Sequence, residues 1–502
     1  MTGRALMVQG ASSSAGKSLL VAGLCRCFAR RGLRVAPFKA QNMSNNAAVC
    51  PDGAEIGRAQ AVQAMAAGAP LCADLNPVLI KPEADARAQV IVMGKPFMTL
   101  GAVQYPDYKQ TLWGYVTGAL DRLLAEYELV IIEGAGSPVE LNLKQNDIVN
   151  MAVARYAQAA VLLVGDIDRG GIFAQLLGTL WLLEPEERQL VRGLVINKFR
   201  GDLSLFSDGV RLLQEKSGLP VLGVVPYLHD LQVAEEDAVV LETGQASFVS
   251  RQPGEVDLAV IHLPRISNFD DFDPFYSDPG VRVRYVHSLR ELGRPDAIIL
   301  PGAKSTTADL EWLRSSGLAE GVVQFAGQGG AVVGICGGYQ MLGTALYDPQ
   351  LVEARQSAAP ALGLLPVETV FDLEKATYQA RAKITVDFGW MAELNGMEIE
   401  GYEIHMGRSS SANAWLEIVQ RNNQMVHVAD GATSLDGRVW GCYLHGLFAN
   451  ARLRHAWLTS LGWRGGATAS VLPDMQTSFD RLADALEAAL DMAELEKILW
   501  ES

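Results

Sequence analysis

The sequence predicts a two-domain α/β protein, the first domain built on a parallel sheet and the second on another α/β series. Three observations predict this. Short apolar runs alternate with helical patterns in two separate series. A glycine-rich loop follows the first apolar run. The length of 502 residues exceeds what one hydrophobic core usually supports.

The first series opens with the strand RALMVQG at 4–10. The helical stretch GKSLLVAGLCRCFARRG follows, closed by Gly32, and then the strand LRVAPFK. LVIIEGAG, AAVLLVGDID, RGLVINKF and LPVLGVVP continue the pattern, with helical stretches between them. Continuous Val/Ile/Leu strands joined by helices read as a parallel sheet covered on both faces. This gives a first domain over 1–230. Acidic and polar residues then replace the pattern, and 231–254 reads as a linker. A second series begins with VDLAVIHLP and PDAIILPG. It continues through the helical TADLEWLRSSGLAEGVVQFAGQ, then AVVGIC, RAKITVDFG and RVWGCYLHG, giving a second domain over 255–450. Residues 451–502 read as a helical extension. There Phe479, Leu482, Leu486 and Leu490 form an apolar stripe that needs a domain surface to pack on.

Composition narrows the function. The net charge of −15 argues against nonspecific nucleic-acid binding, which needs a basic face, but leaves room for an anionic small substrate in a local basic pocket. No apolar run approaches the ~18 residues of a membrane span, and the first residues show no signal-peptide pattern. The six cysteines, at 25, 27, 50, 72, 336 and 442, have neither zinc-site nor disulfide spacing. A reducing cytoplasm is therefore expected.

The loop GASSSAGKS, 10–18, lies between the first strand and the first helix. In that context its backbone N–H groups surround phosphate oxygens, with Gly10 and Gly16 bounding the turn. Lys17 neutralises β- and γ-phosphate charge, and the Ser18 hydroxyl ligates magnesium. Five residues rather than four separate the two glycines, a departure from the usual phosphate-loop spacing. Glu133, ending LVIIE beside glycines, suits a second magnesium ligand. Asp166 and Asp168 also end a strand, where metal or substrate contact and loop capping are both open readings. Asn197, next to Lys198, fits either the adenine base or an ordinary strand end. In PFKAQNMSNNA, Lys39 could meet a substrate carboxylate or the phosphates, with Gln41 and Asn42 hydrogen-bonding a polar substrate. Such loops are also often only turns.

In GICGGYQ, 334–340, glycines stand two residues either side of Cys336. A strand-to-helix nucleophile elbow needs small residues at those places. The following helix would offer its positive end to a thiolate. The Gly337 N–H would face an oxyanion, and a second donor is expected from the LPGAKST turn, at Gly302 or Ala303. The base should be a histidine at a neighbouring strand end. His445 in GCYLHGLF fits best and His405 in GYEIHMGR second.

These residues resemble the triad glutamine amidotransferases. GICGGYQ matches their Gly-x-Cys-x-Gly-x-Gln elbow, and YLHG supplies the histidine. The acid that usually lies two residues after that histidine is replaced by Leu447. The orienting group is therefore open, with Glu403 a candidate. The longer phosphate loop resembles that of dethiobiotin synthetase and its relatives. The two domains in this order resemble the corrinoid amide synthases. KAQNMSNNA, NDIVNM, GDIDRGGIFA, LPGAKST and GYEIHMG are similar to the cobyric acid synthase branch. That resemblance implies a carbon–nitrogen ligase using ATP, magnesium and L-glutamine to amidate the b, d, e and g carboxylates of adenosylcobyrinic acid a,c-diamide. It implies no resident cofactor and leaves a homo-oligomer open. Alternatives are the a,c-diamide synthase branch, CTP synthase, and a regulatory ATPase with an inactive amidotransferase domain.

Overall fold

The computed structural model describes residues 3–84, 87–101, 105–228, 254–353, 356–465 and 475–501. Apart from Gly254, the expected linker lies outside them. The first series of strands forms one six-stranded parallel sheet. Its order is Val221–Pro226, Val191–Phe199, Ala160–Asp166, Arg4–Gly10, Leu129–Glu133, Val35–Phe38. Side chains alternate between two cores, as the period of a strand requires. Leu6, Val8, Leu129, Ile131, Leu162 and Val164 face the helix Lys17–Arg30, while Met7, Val130, Ile132, Val161 and Leu163 face the other layer.

The apolar stripe near the C-terminus packs on this first sheet domain. Helix Met475–Ala489 places Phe479, Leu482 and Leu486 in the same core as Leu20, Val21 and Leu24. Gly23 makes the close approach feasible, since a Cβ there would lie 2.4 Å from Leu486 Cδ1. Arg26 pairs with Asp480 at 2.8 Å and Arg30 with Asp484 at 2.6 Å. Leu490 bridges Gly223 on the sheet's edge strand, and the Asp491 N–H donates to the Leu222 carbonyl at 2.7 Å, so the edge is covered. A four-stranded sheet in the same half, Gln41–Met43, Val78–Ala84, Arg87–Val92, Lys95–Gly101, was not anticipated from the sequence pattern.

The second series also forms a parallel sheet, in the order Val281–Val286, Val256–Ile261, Ala297–Leu300, Ala331–Ile335, Val439–Cys442. The short strand Ala432–Thr433 pairs antiparallel at its edge. RAKITVDFG is not part of it. Its residues Arg381–Ile384 end an 18-residue strand, Val367–Ile384, that pairs antiparallel with Glu398–Ser411 in a separate, mixed sheet. That long pair leans on the N-terminal half: Ile404 packs with Ala47, Val49, Leu79 and Ile91. Gln379 Nε2 donates to the Val49 carbonyl at 2.9 Å. Among the described residues, no helix is long and apolar enough to cross a membrane.

Candidate active sites

The sheet order assembles the cysteine site. Strand Ala331–Ile335, which ends at Cys336, runs between Ala297–Leu300 and Val439–Cys442. The chain ends that leave these three strands therefore meet at one edge. Cys336 has φ 50° and ψ −107°, a strained left-handed conformation for a side-chain-bearing residue. The elbow needs both flanking glycines. A Cβ on Gly338 would lie 1.9 Å from the Leu300 carbonyl oxygen, and one on Gly334 would lie 2.7 Å from the Gly338 backbone.

His445 follows the neighbouring strand and is buried. Its Nδ1 lies 2.7 Å from Asp271 Oδ2, while Asp271 Oδ1 accepts the Gly446 N–H at 2.7 Å. Burial opposes charge on this imidazole. Asp271, and then Cys336 as a hydrogen-bonding neighbour, outweigh it and raise the pKa to about 10. Tyr402 stacks over the ring at a centroid distance of 5.2 Å. The orienting carboxylate is thus Asp271, not Glu403. Glu403 is held by Arg421 through two contacts of 2.7 Å and faces His405. His405 itself stacks on Tyr443 at 3.8 Å, with Nδ1 2.7 Å from the Gly407 carbonyl oxygen.

Gly302 pairs with Ser267 in a short antiparallel ribbon, and Lys304 donates to the Arg265 carbonyl in the same ribbon. The alternation of such a ladder turns the intervening Ala303 N–H away from it. Ala303 N would be 2.9 Å from a Cβ on Gly337, so the two turns face each other beside the thiol.

A cavity opens beside Cys336, lined by Ala303, Lys304, Gln340, Glu353, Lys375 and, from the N-terminal half, Lys81. Glu353 accepts the Thr306 N–H at 3.0 Å, and burial pushes its carboxyl up to about 7. Lys81 reaches Glu55 at 2.5 Å, and Lys375 pairs with the same carboxylate. Burial opposes ionisation of Glu55, but the two ammonium groups hold it down at about 2. Across the same boundary Lys304 meets Glu83 at 2.9 Å.

The phosphate-loop site assembles by the same sheet logic. Strands Arg4–Gly10 and Leu129–Glu133 are neighbours, which sets Glu133 beside the loop. Ser18 Oγ donates to Glu133 Oε1 at 2.8 Å, Lys39 Nζ lies 2.9 Å from that oxygen, and Gln63 Nε2 donates to Oε2 at 2.5 Å. Gly16 has φ 87°, and a Cβ there would lie 2.2 Å from Asn197 Nδ2. That Nδ2 donates to the Ala15 carbonyl at 2.9 Å, and Lys198 donates to the Ser14 carbonyl at 2.6 Å, so both brace the loop. Lys17 Nζ reaches the Gly136 carbonyl at 3.2 Å, and Gly10 ends the strand that leads into the loop. The Ser12 hydroxyl is buried with no hydrogen-bond partner, as suits a loop shaped for an anion. The adjacent oxygens of Ser18 and Glu133 are hard donors of the kind magnesium takes.

Other predicted residues lie apart from this cluster. Buried Asp166 accepts the Asp168 N–H at 2.9 Å and meets Lys198 at 3.2 Å, while Asp168 pairs with Arg200 at 2.9 Å. Both shape the loop next to the phosphate loop. Gln41 and Asn42 lie on a strand pairing with Val78–Ala84, and Asn42 donates to Gln60 Oε1 at 2.8 Å. Asp271, Gln63, Lys81 and Glu353 were not identified from the sequence. Each acts across a long sequence separation that no local spacing encodes.

Comparison with known proteins agrees with this geometry. Residues 6–240 match the CobQ/CobB/MinD/ParA nucleotide binding domain, and residues 257–453 match the CobB/CobQ-like glutamine amidotransferase domain. A cobyric acid synthase of Chloroflexus aggregans is 56% identical over 496 residues, covering 98% of each chain. One from Roseiflexus castenholzii is 54% identical over 493 residues, again 98% of each chain. One from Sorangium cellulosum is 51% identical over 516 residues, 99% of each.

The chain belongs to the cobyric acid synthase family. It is a glutamine-hydrolysing amide ligase of cobalamin biosynthesis, with ATP as co-substrate and glutamine and a corrinoid as its substrates. The Cys336 elbow lies within the matched amidotransferase domain and the phosphate loop within the matched nucleotide binding domain.

Proposed function

We propose that the protein amidates the b, d, e and g carboxylates of adenosylcobyrinic acid a,c-diamide, giving adenosylcobyric acid. The observation that carries this reading is the Cys336–His445–Asp271 arrangement, with Lys17, Ser18 and Glu133 clustered in the other half of the chain.

A carboxylate resists ammonia because oxide is a poor leaving group. The ATP half holds the substrate carboxylate in line with the γ-phosphate, and transfer gives an acyl phosphate. Lys17 and the loop N–H groups spread the developing charge. Ser18 and Glu133 would hold magnesium, which would supply further charge neutralisation. Lys39, drawn away from Glu133, is suited to meet the substrate carboxylate, with Gln41 and Asn42 nearby. Asp166 and Asp168 contribute through the loop that borders the nucleotide, and Asn197 through its brace on Ala15.

In the other half, Cys336 attacks the glutamine side-chain amide as a thiolate. The N–H groups of Gly337 and of the Gly302–Ala303 turn stabilise the oxyanion, with Ala303 the better directed. His445 protonates the departing ammonia, and water then cleaves the thioester to release glutamate. Ammonia displaces phosphate from the acyl phosphate at the other site, leaving the amide.

The test is incubation with ATP, magnesium, glutamine and the diamide, followed by mass spectrometry. Four successive exchanges of OH for NH₂ are expected. Product from cobyrinic acid instead, with the diamide untouched, would overturn the substrate assignment in favour of the a,c-diamide branch.

A further inference from the structure

Asp271 sits in a short segment that the N-terminal half grips at two points just before it. The Ala47 N–H donates to Asn268 Oδ1 at 3.0 Å, three residues before Asp271. Arg58 Nε lies 2.9 Å from Asp270 Oδ2, immediately before Asp271, an ion pair without hydrogen-bond geometry at that nitrogen. Both contacts come from one small unit, because the Arg58 N–H itself donates to the Asn46 carbonyl at 3.1 Å. Arg58 begins the helix Arg58–Ala67, whose Gln63 holds Glu133 at the other site.

The charges make this contact more than a spacer. Asp270 and Asp271 are adjacent carboxylates, and one oxygen of Asp270 is buried with no hydrogen bond. Without a cation, two neighbouring negative groups in a poorly hydrated site repel each other, and the unpaired one competes for the imidazolium. Arg58 supplies that cation from the other domain. Tyr402, stacked on His445, also has a buried hydroxyl without a partner and feels Asp270, Asp271 and Arg58 together. A shift of Asp270 is therefore felt at Asp271 and Tyr402, two of the groups beside the ring.

We propose that Arg58, a residue of the ATP half, is a positioning residue for the glutaminase. By fixing Asp270 it keeps Asp271 on His445 Nδ1, so that glutamine hydrolysis depends on correct docking of the ATP half. The inference rests on the two-site reading above and adds a dependence that reading does not require.

The experiment measures glutamine-driven and ammonium-driven amidation by full-length Arg58→Ala, Arg58→Lys and Asp270→Asn. Ammonium-driven amidation is the folding control, because it bypasses Cys336 and His445. For Arg58→Ala, kcat with glutamine is expected to fall at least tenfold, the KM for glutamine to change less than threefold, and the ammonium-driven rate to stay within twofold. Arg58→Lys should restore most of the glutamine-driven rate. Combining Arg58→Ala with Asp270→Asn should cost far less than the product of the single losses, because the two act as one pair. Unchanged glutamine-driven kcat in Arg58→Ala, equal loss from both nitrogen sources, or multiplicative losses in the double variant would each overturn the proposal. Absence of ammonium-driven amidation in the unaltered protein would instead overturn the two-site reading.

Discussion

Replacing Asp271 by Asn removes the charge behind His445 with almost no change of shape. Asp271 accepts two donors, His445 Nδ1–H and the Gly446 N–H, both at 2.7 Å. Asn has only one accepting oxygen, so in either orientation its NH₂ faces one of those donors. A buried polar group left unpaired costs ~1–3 kcal/mol. Among the influences that raise His445 to about 10, Asp271 is the largest. Removing it therefore weakens the preference for the imidazolium. If the ~1–3 kcal/mol of the unpaired buried group is felt in the transition state, glutamine hydrolysis slows by about ten- to a hundredfold. The assay is glutamate release beside ammonium-driven amidation, across pH. Asp271→Asn should lose the first, keep the second, and shift the alkaline limb of glutamine hydrolysis toward lower pH as the imidazole returns toward its ordinary value. Less than threefold loss, with the limb unmoved, would refute the argument that this carboxylate orients and charges the base.

Two stability predictions follow from the buried charges. Glu55→Gln leaves Lys81 buried without its counter-charge and makes Lys375, which burial already lowers to about 7, shed its proton, so urea unfolding at neutral pH should show a loss of ~3–5 kcal/mol. Asp309, 3.3 Å from Arg265, has its carboxyl pushed up from 3.8 to about 7, chiefly by burial. The native protein then retains a proton that the unfolded chain has lost, so this group's contribution falls as pH rises from about 4 to 7. Asp309→Asn should remove that slope, making the urea midpoint of the variant rise relative to the unaltered protein between pH 5 and pH 8.

Much of the architecture was legible because its signals are local. The elbow requires small residues at Gly334 and Gly338, and the clashes a Cβ would meet explain why GICGGYQ could be read so directly. The parallel strands announced themselves through unbroken Val/Ile/Leu runs, since both faces are covered. What stayed hidden depends on contacts between distant segments. Asp271 lies 174 residues before His445, within an acidic stretch that looks like an ordinary exposed turn. The stripe of Phe479, Leu482 and Leu486 was visible as a face in search of a partner. Its partner, the helix carrying Gly23, is more than 450 positions away. Of the strand Val367–Ile384 only the end was read, within RAKITVDFG, because its middle is only half-buried and apolar alternation fades there. Asn197 was open between the adenine base and an ordinary strand end, and its amide donates to the Ala15 carbonyl across 182 residues, a contact no local pattern shows.

The central claim is that one half of the chain activates a carboxyl group and the other supplies its nitrogen. The most direct measurement exchanges the nitrogen source in two variants, Cys336→Ala and Lys17→Ala. The account predicts that Cys336→Ala makes no amide from glutamine yet amidates with added ammonium salts, while Lys17→Ala makes amide from neither. Glutamine-driven turnover by Cys336→Ala, or normal ATP consumption and amide formation by Lys17→Ala, would contradict it.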